Sequence, residues 1–493
     1  MQHIHTQTKT IAVLSLLGIL SFFGTLKAPF VYDDLHAIVE NPYIRSLWDF
    51  QNVVGIENIF NRSVVLLTYA VNRETGGLNV FGFHLANLLI HTCAGIALYF
   101  LTAEWIALET VKLQPRLKPL PALTAAISLV HPMAVEPVTY LASRSSILAT
   151  LFFLLGFFYF IQSLKLWQQR GPGLAFYSSV LLTLTFFFLG AGSKEIIVTL
   201  PVLAIAYVWF KFPRLGLKKM GLICGLVFLP LGVYLSYRYM KMGHAFTLNA
   251  DPDSLLIDRG LYLLTQVKAL VFYYLWKLVL PFNFNFEPDM RLVSGIADPE
   301  WMAGLGFMML LAAALHLQES RLLRFGFLWA LIAFLPTSSL IPLKQIVTEH
   351  RAYLPAAGIA LALGLGLLTA TRRHGVRAAA VAVFLLLAPL LTLNRTLDYR
   401  TEVALWQDTA KKSPNKALVH NNLAAAYLGE KKYAKAREEL KITLGLDPED
   451  SDAYINLGHI HSQKLQWKKP GWNSTAPSCS APQRQMPSTT PAW

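Results

Sequence analysis

The chain has 493 residues, 54% of them hydrophobic and 15% charged, with a mean hydropathy of +0.43 and a formal net charge of +14. A soluble domain carries roughly 25% charged residues, so this composition excludes a soluble enzyme and reads as a polytopic, all-α membrane protein. The basic residues fall in short clusters between apolar segments and not on one soluble face, which argues against nucleic acid as a partner.

The first apolar segment, residues 10–26, has no small-residue cleavage motif and is followed by many others, so it reads as a retained signal anchor. Directly after it, in Pro29-Phe30-Val31-Tyr32-Asp33-Asp34-Leu35-His36, stand two adjacent carboxylates. A charge at the centre of a membrane helix costs ~2.5–3.5 kcal/mol, whereas a pair at the membrane edge can stay ionised and face lipid headgroups. Asp33 and Asp34 are therefore candidate bases, metal ligands or both, against a competing reading as a helix cap or solvated turn. The long loop 27–83 also carries Asn41, Arg45, Asp49, Glu57, Asn61 and Arg62. Its apolar residues, among them Leu47, Trp48, Phe50, Val53, Val54 and Ile56, suit short amphipathic helices lying on the bilayer.

Further spans are expected at 84–106, 121–142, 146–164, 174–190, 196–212 and 220–237, each long enough for ~30 Å of hydrocarbon. In the first of these His84, Asn87 and His91 occupy one helix face, which must line a protein interior or wet cavity; helix-to-helix hydrogen bonding competes with a role in chemistry. Lys112, Arg116 and Lys118, then Lys165 and Arg170, then Lys211, Arg214, Lys218 and Lys219 fall in alternate loops, placing those loops and the N-terminus in the cytoplasm. Asp33 and Asp34, His131 to Arg144, Ser193 to Glu195 and Tyr237 to Arg259 then lie on the outer side. Segment 258–280 carries Arg259, Lys268 and Lys277; reading it as interfacial or re-entrant keeps Arg321, Arg324 and the turn 371–377 inside. Spans at 301–317, 323–342, 353–370 and 378–394 complete about eleven.

Three outer loops each place a cation beside a carboxylate: His131-Pro132 with Glu136 and Arg144, Ser193-Lys194-Glu195, and Thr348-Glu349-His350-Arg351. Ion pairing at helix ends would account for any one of them. A phosphate leaving group needs fixed cations, which makes Arg351, with its planar fork, and Lys194, a point charge, the preferred phosphate ligands. There is no phosphate-binding glycine loop, His-Glu-x-x-His helix or nucleophile elbow, and the three cysteines, Cys93, Cys224 and Cys479, suggest neither a disulfide framework nor a metal site.

From residue 400 the composition turns charged, Ala-rich and helical. Asn422-Leu423 recurs as Asn456-Leu457 and Pro414 as Pro448, both at a spacing of 34, with Tyr427, Gly429, Tyr433, Ala434 and Ala436 between them. This is the tetratricopeptide pattern, over residues 400–463. Stacking normally takes about three repeats, so the array reads as cut short, and 464–493 as a disordered tail left by a frame disruption or premature end of a longer array.

Together these motifs resemble the transmembrane and tetratricopeptide repeat-containing O-mannosyltransferases of the C-type (GT-C) glycosyltransferase superfamily. Tyr32-Asp33-Asp34 with Asn41 looks like that family's first-loop acidic motif, and Gly82-Phe83-His84-Leu85 through Asn87 and His91 like its second span. His131-Pro132 with Glu136, Ser193-Lys194-Glu195 with Pro201, and Glu349 with Arg351, Tyr353, Leu354 and Pro355 follow in the same order. Two departures stand out: Arg62-Ser63 replaces Arg-Pro, and His350 separates Glu349 from Arg351.

The resemblance implies a GT-C-like transmembrane domain over 1–399, and transfer of a hexose from a polyprenyl-phosphate carrier to a hydroxyl acceptor, Ser or Thr of a protein, on the outer face. Asp33 or Asp34 would be the general base, and direct attack would invert the anomeric centre. Arg62, His84, His91, His131, Glu136, Arg144, Lys194, Glu195, Glu349, His350 and Arg351 would line the substrates. A magnesium or manganese ion bridging the aspartates and the phosphate suits the ligand types, although two acidic residues alone do not establish it. The repeats would hold a protein acceptor or partner, and the expected location is a bacterial inner membrane with the repeats periplasmic. The rival readings are a non-catalytic scaffold recruiting envelope proteins, a transferase acting on a glycan or lipid, and a lipid-linked-sugar transporter.

Overall fold

In the computed structural model, which describes residues 2–53, 62–109, 114–212, 217–242, 258–336, 342–343, 345–371 and 373–467, apolar runs become helices whose ends follow local chemistry. Glu57, Asn61, Lys112, Arg214, Arg372 and Cys479 lie outside the described residues, as does the tail from 468. Among the described residues there is no strand. The chain divides into two units, Met1–Phe286 with Met290–Thr401, and Glu287–Asp289 with Glu402–Trp493.

The first unit begins with α1 (Gln2–Phe22), carried on to Lys27 by a tight 3-10 turn. The loop expected to hold interfacial helices contains α2 (Leu47–Val53) and α3 (Ser63–Gly76). Asn79 opens α4 (Val80–Trp105) by accepting a hydrogen bond from the Phe81 N–H, the ordinary device for an orphan amide at a helix start. α5 (Leu120–Val130) stops at His131-Pro132. Proline has no N–H and disfavours helical backbone at the residue before it, so His131 is extended (φ −72°, ψ 130°) and the chain bends by 53° into a second short helical stretch that includes α6 (Val135–Thr139). The expected span 121–142 is thus broken in its middle.

α7 (Arg144–Arg170) and α8 (Leu174–Ala191) pack as a hairpin turned at Gly171, whose φ of 70° suits a residue without a Cβ. α9 (Leu200–Lys211), α10 (Leu217–Met242) and α11 (Arg259–Ala269) follow, the last running through a π-turn into α12 (Trp276–Val279). The unit ends with α13 (Pro299–Leu317), α14 (Arg321–Phe334), α15 (Tyr353–Thr369) and α16 (His374–Thr396). Eight helical segments among the described residues are long and apolar enough to cross a membrane, or nine with the bent pair counted as one span, where the sequence suggested about eleven. The difference lies in short elements. Segment 196–212 is a 3-10 turn (Glu195–Thr199) followed by the 12 residues of α9, and α14 has 14 residues, both short of the ~20 that a straight crossing needs.

The interior is aromatic and closely packed. Trp329 of α14 meets Trp105, Phe153 and Phe157 edge-on with ring centroids 4.9–5.3 Å apart, and its indole N–H donates to the Leu354 carbonyl at 3.1 Å. One helix crossing depends on glycine: a Cβ on Gly358 of α15 would stand 2.2 Å from the Gly326 carbonyl oxygen of α14. Outward-facing Leu174, Leu181, Leu310, Leu317 and Leu386 are more than half exposed, the surface expected of helices solvated by lipid.

The second unit contains α17 (Glu402–Lys412), α18 (Ala417–Gly429), α19 (Tyr433–Leu446) and α20 (Ser451–Trp467), each in contact with its successor. Trp406, Leu423, Ala436 and Leu440 are buried in it. Asn456 of α20 donates to Asn421 of α18 at 2.9 Å, and His420 meets Glu439 at 2.7 Å, so polar contacts tie the helix pairs together. Glu287 belongs to this unit through Lys416, at 2.5 Å.

Candidate active site

The chain turns at Tyr32, whose φ of 51° lies in the left-handed region, and the two following carboxylates part company. Asp34 is fully buried: its Oδ2 accepts from the Val31 N–H at 3.1 Å and its Oδ1 from the Ala142 N–H at 2.6 Å, fastening the first loop to the start of α7. Burial pushes its pKa up to about 8, against the pull of the Val31, Ala142 and Leu141 amides. Asp33 is exposed, with the Tyr140 hydroxyl facing it. Desolvation by the surrounding protein raises its pKa as well, offset by Tyr140, His36 and Arg62. An open carboxyl with a raised pKa is suited to taking a proton from a hydroxyl group.

Arg62 joins this corner to the next. It caps α3 in the left-handed region (φ 53°), is exposed, and acts electrostatically on Asp33, Lys194 and His350. Lys194 stands extended after α8, its ammonium donating to Ser146 Oγ at 2.8 Å. Burial, then Arg62 and Arg351, push its pKa down to about 7, against Glu195 and Glu136. The structure therefore brings Asp33, Arg62, Lys194, Glu136, His350 and Arg351 into one electrostatic neighbourhood.

The loop before α15 is held by interlocking hydrogen bonds. Glu136 Oε2 accepts from the Glu349 N–H at 2.9 Å, and Oε1 lies 2.6 Å from His350 Nδ1. Glu349 Oε1 accepts from the Asn285 N–H at 2.6 Å and from the Tyr273 hydroxyl at 3.2 Å, and Arg395 lies 3.6 Å from its other oxygen. Arg351 directs both terminal nitrogens at backbone carbonyls of its own loop, Ile346 at 3.0 Å and Gln345 at 2.8 Å. It contributes charge to the site while closing the loop.

The remaining sequence candidates are packed into the helices. His84 Nε2 donates to the Ala28 carbonyl at 3.0 Å. His91 Nε2 donates to the Leu129 carbonyl, which leaves Nδ1 to accept from the Tyr353 hydroxyl at 2.5 Å. His131 Nδ1 accepts from the Met133 N–H, and its Nε2 donates to the Leu278 carbonyl. Arg144 is fully buried, donating to Asn87 at 2.6 Å, Asn72 at 2.8 Å and the Phe83 carbonyl at 2.9 Å, 4.5 Å above the Tyr69 ring. Glu195 pairs with Arg238 at 3.3 Å. Sequence reasoning missed Tyr140 and Arg395. Arg395 carried a signal, a lone arginine at the end of an apolar segment, whereas nothing local marks Tyr140.

A divalent ion would find little built for it. Both Asp34 oxygens are held by backbone amides, which leaves Asp33 as the open carboxylate of the pair, and among the described residues no three His, Cys, Asp or Glu side chains are grouped to hold a metal.

No family model matches the chain. Among curated proteins it is similar to the protein O-mannosyl-transferase TMTC4 of Mus musculus, 26% identical over 476 residues covering 83% of this chain and 63% of that protein, and to human TMTC4 at 27% over the same shares. The Caenorhabditis elegans protein O-mannosyl-transferase F38B6.6 is 24% identical over 87% of this chain and 61% of its own length. The chain thus spans about three fifths of the length of these relatives, and the resemblance drawn from its motifs is borne out. Among solved structures, ArnT from Cupriavidus metallidurans bound to undecaprenyl phosphate aligns over 93% of this chain and 78% of its own, with 15% identity and a TM-score of 0.38.

Proposed function

We propose that the chain is a GT-C-type membrane glycosyltransferase that moves a hexose from a polyprenyl-phosphate donor to a hydroxyl group, on Ser or Thr of a protein, with inversion. The observation that carries this reading is the division between the two aspartates. Asp34 is a structural fastener, while Asp33 stands open beside a group of cations.

In this mechanism the acceptor oxygen attacks the anomeric carbon and gives its proton to Asp33, whose raised pKa makes it a stronger base than an ordinary carboxylate. The bond from the anomeric carbon to the phosphate oxygen breaks on the opposite side. Lys194 and Arg62 stabilise the charge that collects on the departing phosphate, and an incoming phosphate would keep Lys194 protonated. Arg351 adds to the same field. A magnesium or manganese ion would find Asp33 and the donor's own phosphate, and no step depends on it. In this reading the membrane is a bacterial inner membrane, with the N-terminus cytoplasmic and the C-terminal helices, which would engage the protein acceptor, periplasmic; the alternation of basic loops supports that orientation.

The test is turnover of radiolabelled polyprenyl-phosphate hexose with a Ser/Thr peptide by the full chain in detergent. Asp33→Asn should lower turnover by about 100-fold or more with little change in donor affinity. Full activity in Asp33→Asn would sink the assignment of the base, and absence of transfer by the unaltered chain would sink the reading itself.

A further inference from the structure

His350 is the residue at which this chain departs from the Glu-Arg pair of the family it resembles, and the structure gives it a specific setting. Its Nδ1 lies 2.6 Å from Oε1 of Glu136, a carboxylate that is 2% exposed and whose second oxygen is taken by the Glu349 N–H. With Glu136 ionised its oxygen accepts and Nδ1 carries the proton, which fixes the orientation and tautomer of the ring. The other ring nitrogen, Nε2, has Thr348 Oγ1 at a long 3.3 Å. The His350 side chain is 19% exposed, which makes it the open member of the pair. Lys194 and Arg62 act on it from two other segments of the unit and Arg351 from the next residue, and burial and all three charges disfavour its imidazolium; the carboxylates nearest to it are Glu136 and, adjacent in sequence, Glu349.

We propose that His350, oriented by Glu136, meets the leaving phosphate of the lipid donor through Nε2 and donates a proton to it. The proposal rests on the transferase reading. The acceptor oxygen bonds to the anomeric carbon as the bond from that carbon to the phosphate oxygen breaks; the hydroxyl proton goes to Asp33, the electron pair to the phosphate oxygen, and the Nε2 proton to that same oxygen. Glu136 is a positioning residue. It sets which nitrogen faces the phosphate and, together with the negative charge of the arriving phosphate, stabilises against those three cations the imidazolium that must exist before transfer.

The experiment is the pH–rate profile of the full chain in detergent with radiolabelled polyprenyl-phosphate hexose and a Ser/Thr peptide. With donor bound, the unaltered chain should lose activity as pH rises through the point at which His350 gives up its second proton, a point that burial and the neighbouring cations lower and the arriving phosphate raises. His350→Gln should lower kcat by on the order of 100-fold, change the donor KM by less than about threefold, and shift that alkaline limb to the position that deprotonation of Lys194 alone sets. Glu136→Gln should retain more activity and move the limb to lower pH, and it answers the question even if His350→Gln melts early. A His350→Gln enzyme within threefold of the unaltered kcat, or one that is slow but keeps the alkaline limb in place, overturns the assignment while leaving the transferase reading standing. No turnover by the unaltered chain at any pH overturns both.

Discussion

Asp34 exchanges water for backbone amides, whereas Asp33, one peptide bond away, keeps an open face. The consequence can be measured without any substrate. The folded chain holds a proton at Asp34 up to about pH 8, where an unfolded chain has released it near the ordinary 3.8. The folded state therefore binds more protons across that window, and stability falls as pH rises through it. Lys194 works in the opposite sense, its folded pKa of about 7 lying below the ordinary 10.5, so its contribution rises with pH only above neutrality. The melting temperature in detergent of the unaltered chain, taken relative to Asp34→Asn, should thus fall as pH rises from 5 to 7; a difference that stays constant over that range would refute this account. The acidic pair was legible in the sequence as a candidate centre. Which aspartate faced inward was not, because the groups that decide it, the amides of Leu141 and Ala142, lie more than a hundred residues away.

At the scale of elements, turns and crossings depend on single residues. His131-Pro132 breaks what reads as one apolar run, and the break turns Glu136 toward the loop that precedes α15. The same proline was visible in the sequence, but hydrophobicity alone carries the run straight through it. The α14–α15 crossing brings two backbones together at Gly326 and Gly358, a contact that only small residues permit. Gly358→Val should cost about 1–3 kcal/mol or more, the usual cost of overpacking, read as a lowered melting temperature in detergent. Gly366→Ala on the same helix, with open space around its Cβ position, should not. Equal effects of the two would show that the close approach is unimportant.

The whole molecule is two units of different character, one apolar on its outside and one charged and polar. A chain ending at Thr401 should still release labelled hexose from the lipid donor while transferring much less to a folded protein acceptor; equal transfer with and without the C-terminal helices would remove their proposed role in recruitment. What the amino-acid sequence determined by itself was everything set by short range or by composition. Membrane residence follows from apolar length, helix limits from Asn79, Pro132 and Gly171, the C-terminal helices from a 34-residue spacing, and the candidate cations and carboxylates from their places at span ends. Tertiary structure alone decided the roles within that set. It separated Asp33 from Asp34, turned Arg351 back on its own loop, fastened His84, His91 and His131 to backbone carbonyls, and paired Glu136 with His350 across 214 residues. Burial and hydrogen-bond partners arise from segments distant in the chain, and a local pattern carries no record of which of its polar groups will find one.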